Sequence, residues 1–323
     1  MTKKIKLDLF ELKKKKDLRE IYKFFKFKTR KWFDINLKPK KEFFILKKCL
    51  FCKSSTSREV FAIDGFSYHK CKSCESIYTK PHMRDDLLNS LYNDGTYQTY
   101  QNKLVKKGKK IRESTLENRK FSQINKLLKT KKPLILDVGC GGGTFLNICK
   151  QKGWIVEGID PSPQSSKEVM KNYDIKVHLG DFNRIKIKKK YDVISFWGVL
   201  EHMLDPISAL KKAKKHLNKN GILAFEVPSS DCFMSRYLQK YNFSPTRYIE
   251  SARHNIFFSR KLIDKLSSEN KLQIELIETN GLDIQTILFK EFDDLITEKI
   301  INIQDILNDV LLGDHYRVFL KKK

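Results

Sequence analysis

The sequence predicts an α/β fold, a doubly wound and mostly parallel seven-stranded sheet with a small four-cysteine module on its N-terminal side. Three observations predict it. From Pro133 onward, short runs of Val, Ile and Leu alternate with helical stretches, the rhythm of βαβ units. A string of alternating glycines follows the first of these runs, and two Cys-x-x-Cys pairs stand well ahead of it. A chain of 323 residues also exceeds what one hydrophobic core usually fills, so one large domain with a smaller companion is expected.

In chain order, four segments can be distinguished. Residues 1–48 form a basic extension with interleaved aromatics, residues 49–82 hold the cysteine pairs, residues 83–130 form a helical connector, and residues 131–323 carry the α/β pattern. Within the last segment, strands are predicted at 134–138, 154–159, 176–178, 191–196, 221–227, 272–278 and 316–320. Helices are predicted at 144–153, 165–173, 206–217 and 259–270, the last with Ser259 as its N-cap. A helical insertion is expected at about 291–312 before the final strand. No internal repeat is evident.

The formal charge of +27 first suggests a nucleic acid or an anionic membrane as partner. Its distribution tempers that, because residues 1–48 hold 18 Lys/Arg against 6 Asp/Glu, leaving +15 on the other 275 residues. The abundance of Lys, Ile, Asn and Phe also matches what an A/T-biased genome produces. No apolar run approaches the roughly 20 residues of a membrane helix, and the N-terminus lacks a continuous signal-peptide core, so a cytoplasmic protein is expected. Seven cysteines, four of them in two Cys-x-x-Cys pairs, favour a metal over a disulfide framework.

The segment Leu-Ile-Leu-Asp137-Val-Gly139-Cys-Gly141-Gly-Gly143-Thr-Phe places three alternating glycines between a strand and a helix. Glycine there permits a tight turn and lets a ligand touch the main chain, the Rossmann-like arrangement. Asp160 follows Gly139 by 21 residues at the end of the second strand, where a carboxylate can take both hydroxyls of a ribose. That spacing suits a dinucleotide or an adenosine ligand. Thr144 stands where the dinucleotide pattern wants Gly or Ala, and no Lys-Ser/Thr pair follows to make a phosphate loop.

With these motifs in place, residues 110–320 resemble the class I S-adenosylmethionine-dependent methyltransferases. The resemblance is carried by LDVGCGGGTF, EGIDPSP, GDF at 180–182 and YDVISFWGVLEHMLDP at 191–206. It implies that Asp137, Gly139 and Gly141, in the loop that Gly143 completes, line the methionine part of S-adenosyl-L-methionine. By the same resemblance Asp160 takes the ribose, Asp181 and Phe182 the adenine, and Phe196 and Trp197 lie near the sulfonium. A bland alternative for Asp181 is a turn residue. An activated sulfonium leaves the protein mainly the tasks of aligning donor and acceptor and excluding water.

Cys49 and Cys52 are separated from Cys71 and Cys74 by 18 residues, a structural Zn2+ spacing. Four thiolates leave no open coordination position, so such a metal holds structure. A four-cysteine module, an aromatic stretch and this core together resemble sugar methyltransferases acting on nucleotide-linked sugars and glycan precursors. The longest such enzymes carry a further C-terminal domain that is not expected here, which leaves the acceptor and the methylated atom open.

Methylating a hydroxyl, or a carbon next to a carbonyl, requires a base. Two histidines are candidates: His254, in an HxxxFS arrangement that the resembling sugar enzymes share, and His202, in the LEH tripeptide, as a pocket or positioning residue. Tyr92, Tyr97 and Tyr100 offer hydroxyls and stacking faces for an acceptor, with ordinary packing as the alternative. The stretch 21–33 has the composition of a peripheral membrane contact or a nucleic-acid contact, against a helix that packs its aromatics inward. Beside methyl transfer to a small molecule, two readings stay open: an RNA or protein acceptor, and a non-catalytic cofactor-binding partner subunit.

Overall fold

The computed structural model describes residues 15–46, 48–92, 112–203, 205–241, 248–249, 252, 254–288 and 297–323. Its strands, in chain order, are β1 (Phe44–Ile45), β2 (Ser57–Ile63), β3 (Phe66–Cys71), β4 (Ile77–Thr79), β5 (His82–Met83), β6 (Leu134–Val138), β7 (Ile155–Asp160), β8 (Val177–Leu179), β9 (Tyr191–Trp197), β10 (Leu217–Pro228), β11 (Ile256–Phe257), β12 (Leu272–Asn280) and β13 (His315–Lys322). The chain divides into two compact units. One comprises residues 1–104, 228–264 and 278–316; the other comprises 105–227, 265–277 and 317–323. The segments read from the sequence run consecutively, whereas these units interleave.

The seven-stranded sheet has the order β12-β13-β10-β9-β6-β7-β8. Its strands from β10 to β8 pair in parallel, with Asp137 of β6 level with Gly158 of β7 and Ser195 of β9. The order explains where a ligand goes. From β6 the chain winds one way through β7 and β8, then returns to β9 on the other side of β6. That reversal is a topological switch point, which opens a crevice at the carboxyl ends of β6 and β9. All the predicted strands and the Rossmann-like sheet are present.

Alternation fills the core of this unit. Ile135, Val193, Ile222 and Ala224 point from the sheet into one cluster with Phe145, Leu146 and Cys149 of helix Thr144–Gln151 and Ile124 of helix Asn118–Leu127. Burying such side chains contributes roughly 1.5–3 kcal/mol each. Helix Pro163–Tyr173 starts where Ser162 Oγ accepts the Ser165 amide at 3.2 Å, and helix Pro206–His216 starts where Asp205 accepts the Ser208 amide at 2.9 Å.

The other unit centres on a four-stranded sheet ordered β11-β4-β3-β2, its pairs antiparallel. β1 pairs separately with β5. Helix Lys15–Thr29 buries Ile21 and Phe25, four residues apart, while Phe27 is 79% exposed. Phe33 meets Phe44 and Phe66 at 5.3 and 4.9 Å between ring centroids. Of the aromatics in residues 21–33, Phe25, Trp32 and Phe33 are buried, Tyr22 and Phe24 are half-buried and Phe27 is exposed. Among the described residues no helix is long and apolar enough to cross a membrane.

Candidate functional site

The glycine loop after β6 uses its three glycines differently. All three have positive φ, at 68° for Gly139, 50° for Gly141 and 70° for Gly143. A Cβ at Gly139 would lie 2.5 Å from Val199 Cγ2, and one at Gly143 would lie 2.8 Å from Val169 Cγ2. These two allow close packing. A Cβ at Gly141 would meet nothing within 4 Å, so that backbone faces open space where a ligand can approach.

Asp160 ends β7 beside this opening. Its Oδ2 accepts the Gly141 amide and its Oδ1 the Ser162 amide, both at 2.9 Å. Burial raises the pKa of this carboxyl, and the two amides oppose that by favouring the charged form. A carboxylate has about four acceptor sites, so two amides leave capacity for a diol. On the neighbouring strand β6, Asp137 is 3% exposed and accepts the Ser195 hydroxyl at 2.6 Å. Burial pushes its carboxyl up to about 7, against the Ser195 hydroxyl and the Lys120 ammonium.

Phe182 and Phe196 are buried and stand edge to face at 5.4 Å, forming an apolar wall. Asp181 is exposed, and its Oδ1 accepts the Asn183 amide at 2.7 Å. This is an Asx turn, so the carboxylate's visible task is to close the loop after β8. Trp197 follows Phe196 and enters the opposite face of the strand, against Phe145 at 5.3 Å and Phe319 at 6.4 Å. The Lys120 ammonium lies 4.8 Å from the Trp197 ring centroid, so one of the chain's own cations already stands against the ring expected to meet a sulfonium. Trp197 Nε1 is buried with no hydrogen-bond partner among the described residues.

Several supporting groups escape sequence reasoning. Lys120 is buried and reaches Glu117 at 3.2 Å. Arg317 has no exposure and binds Glu226 Oε2 through Nε at 2.9 Å and Nη2 at 2.6 Å. The Glu226 carbonyl in turn accepts the Gly198 amide at 3.1 Å, which braces the turn after β9. A buried charge is tolerated only when paired; Glu117 stands at helical i,i+3 spacing from Lys120, whereas no periodicity announces Glu226 as the partner of Arg317.

His202 closes a 3₁₀ turn, Leu200–His202, directly after β9, with its Nε2 3.9 Å from the buried Glu201 carboxylate. His254 belongs to the other unit. There its Nδ1 donates to the Tyr248 carbonyl at 2.7 Å, which fixes the ring and leaves Nε2 as the basic nitrogen. Tyr92 ends helix Asp85–Tyr92; Tyr97 and Tyr100 lie outside the described residues.

The cysteines form a second candidate centre. Cys49 and Cys52 precede β2, Cys71 ends β3 and Cys74 lies in the turn to β4. The two Cys-x-x-Cys turns repeat one backbone pattern. Lys53 and Glu75, each just after its pair, have φ of 60° and 63° and donate their amides to the Cys49 and Cys71 carbonyls, both at 3.0 Å. The Cys49 and Cys71 amides donate to the Ser54 and Ser76 carbonyls. All four Sγ atoms lie within 4.8 Å of one another. Zn–S bonds of about 2.3 Å put tetrahedral sulfurs roughly 3.8 Å apart, so the donor set fits Zn2+. The Cys49–Cys74 and Cys52–Cys71 separations, 3.6 and 3.5 Å, are far beyond a disulfide. The hydrogen bond from Cys49 holds the Cys74 thiol down at about 5, while Cys49 itself is raised by that same bond and by burial.

Comparison with known proteins bears on the methyltransferase-type sheet. Residues 112–276 match the family model described as "Methyltransferase domain". The ubiquinone biosynthesis O-methyltransferase of Pelagibacter ubique is 34% identical over 120 residues, 35% of this chain and 48% of that protein. A tRNA U34 carboxymethyltransferase from Campylobacter fetus is 32% identical over 109 residues, 32% of this chain and 39% of that protein. The chain thus spans about half the length, or less, of the curated relatives it matches. Among solved structures, the plantazolicin methyltransferase BpumL in complex with SAH superposes with a TM-score of 0.52 at 15% identity, covering 73% of this chain and 93% of that one. At that identity the likeness concerns the fold.

Proposed function

The chain belongs to the methyltransferase-domain family, and from that premise we propose that it transfers a methyl group from S-adenosyl-L-methionine to a small-molecule acceptor. One observation carries the proposal: the open backbone at Gly141, directly beside the Asp160 carboxylate at the sheet's switch point. Bound there, the cofactor supplies an electrophilic methyl on a sulfonium. Asp160 accepts the ribose hydroxyls, the wall of Phe182 and Phe196 excludes water beside the base, and the Gly139 to Gly143 loop and Asp137 receive the amino-acid end. These groups need only bind, orient and keep the site dry.

The curated relatives include O-methyltransferases, and oxygen is the acceptor atom we favour. A hydroxyl must lose its proton on transfer. His254, with Nδ1 anchored on the Tyr248 carbonyl, has the tautomer of a general base at Nε2; His202 serves as a positioning group. A sugar or glycan precursor is the acceptor class we infer, supported by the sequence resemblance of the four-cysteine module and core to sugar methyltransferases.

Titration calorimetry with S-adenosylhomocysteine tests the premise. Asp160→Asn keeps the shape but weakens charge-assisted bonds worth about 1.5–3 kcal/mol each, so affinity should fall roughly tenfold to a hundredfold. Undiminished affinity in Asp160→Asn, or no binding by the wild type, overturns the site. For the acceptor, His254→Ala should abolish turnover on a sugar substrate with cofactor binding intact; full turnover removes His254 from the mechanism.

A further inference from the structure

A groove on the methyltransferase unit, remote in kind from the cofactor chemistry, has its own charge pattern. It runs between residues 183–188 and the C-terminal half of helix Pro206–His216. Residues 183–190 hold five Lys/Arg and no acid, and the helix holds four lysines and no acid. Along the first wall, Arg184, Lys186 and Lys188 are exposed while Ile185 and Ile187 are half-buried, so the cations face out and the apolar residues anchor the segment. Across the groove, Lys211 and Lys215 are exposed one helical turn apart, on one face.

Lys212 builds the groove and is consumed by doing so. Its ammonium donates to the Phe182 carbonyl at 2.5 Å, to the Asn183 carbonyl at 3.3 Å and to the Ile185 carbonyl, which clamps the segment to the helix. Among the described residues, Lys186, Lys188, Lys211 and Lys215 take part in no ion pair. Arg184 has only Asp181 at 3.9 Å, an exposed pair worth little. Lysines gathered this way repel one another and raise the local concentration of anions.

We propose that this groove binds the phosphate backbone of a nucleic acid, reading charge and not base identity. Three features select that partner. The cations stand on two facing elements, residues 184–188 and the helix positions Lys211 and Lys215, so they offer rows of contacts. An extended polyanion fits such rows better than a single phosphate. No Phe, Tyr or Trp lines the groove; the one ring among its lining residues is the His216 imidazole, held by donation of Nδ1 to the Lys189 carbonyl at 3.1 Å, so base stacking adds little and sequence is not read. The groove's large hydrophobic lining residues, Ile185 and Ile187, are half-buried, so a membrane would find little to take into its interface. The proposal stands independently of the methyl acceptor.

Fluorescence anisotropy with the full chain and labelled duplex DNA and single-stranded RNA, each in two unrelated sequences, tests it across a salt series. The comparison variant replaces Lys186, Lys188, Lys211 and Lys215 by Gln. A control replaces the exposed Lys126, Lys152, Lys167 and Lys171 by Gln, removing the same charge elsewhere on this unit. Cofactor binding by calorimetry verifies that both remain folded. The wild type should bind all four probes alike, and the groove variant should flatten the log–log salt slope on duplex DNA by up to about 3–4, near 0.9 per lost contact. The control should keep the wild-type slope. Equal losses in both variants reduce the effect to net charge and overturn the proposal, as does absence of wild-type binding at low salt. Groove-dependent binding of phosphatidylserine vesicles without nucleic-acid binding overturns it in favour of a membrane.

Discussion

At the scale of single residues, the glycine loop separates stability from binding. Alanine at Gly139 meets Val199 at 2.5 Å and also adopts positive φ, so it should cost about 2–4 kcal/mol of stability. Alanine at Gly141 carries only the backbone cost of about 1–2 kcal/mol, but its methyl occupies the open space of the crevice. Thermal denaturation beside calorimetry should therefore show Gly139→Ala losing stability first and Gly141→Ala losing cofactor affinity first; the reverse ranking would move the cradle elsewhere. The glycines and Asp160 were legible because their chemistry depends on backbone shape and strand position, which spacing encodes. Lys120, Arg317 and Ser195 were not: Lys120 pairs with Glu117 only three residues away, but its burial against the Trp197 ring depends on a distant strand, and Arg317 and Ser195 find their partners on other strands.

Asp137 carries a prediction in pH. Its folded-state value of about 7 lies above the ordinary carboxylate value, so the folded chain holds a proton that the unfolded chain has released. The unfolded state binds fewer protons between about pH 4 and 7, and stability falls as pH rises through that window, by an upper bound of roughly 4 kcal/mol. Asp137→Asn should flatten this decline in urea melts at pH 5 and pH 8. An equally steep decline in the variant would assign the proton to another group.

At the scale of elements, the cysteine turns explain how a short sheet is held. Their spacing was legible because a tetrahedral ion dictates ligand number and separation. The fourth strand of their sheet was not, because β11 is two residues long and arrives from far along the chain. Ser259, legible as an N-cap, accepts the Leu262 amide at 2.9 Å and donates to the Cys74 carbonyl, so it ties helix Arg260–Glu269 to the second cysteine turn. We expect one zinc per chain by elemental analysis. Cys52→Ser should remove most of it and lower the melting temperature of the metal-loaded protein, whereas Cys232→Ser, outside the cluster, should retain full metal content. A full zinc complement in Cys52→Ser would refute four-thiolate binding.

At the scale of the whole molecule, the interleaving of the two units marks the limit of reading along a chain. Periodicity identifies elements locally, but residues 228–264 and 278–316 group with the N-terminal 104 residues through contacts that no local pattern announces. The division also makes two tests orthogonal. The cysteine cluster belongs wholly to one unit and the Gly141–Asp160 cradle wholly to the other. A ligand that binds only the folded state at a hundred times its dissociation constant adds about 2.7 kcal/mol, a shift of about 5–10 °C at 2–4 °C per kcal/mol. S-adenosylhomocysteine should produce that shift in the wild type and in Cys52→Ser alike, and a much smaller one in Asp160→Asn. If the shift instead disappears with the metal and survives in Asp160→Asn, the cofactor depends on the cysteine-bearing unit and the cradle assignment fails.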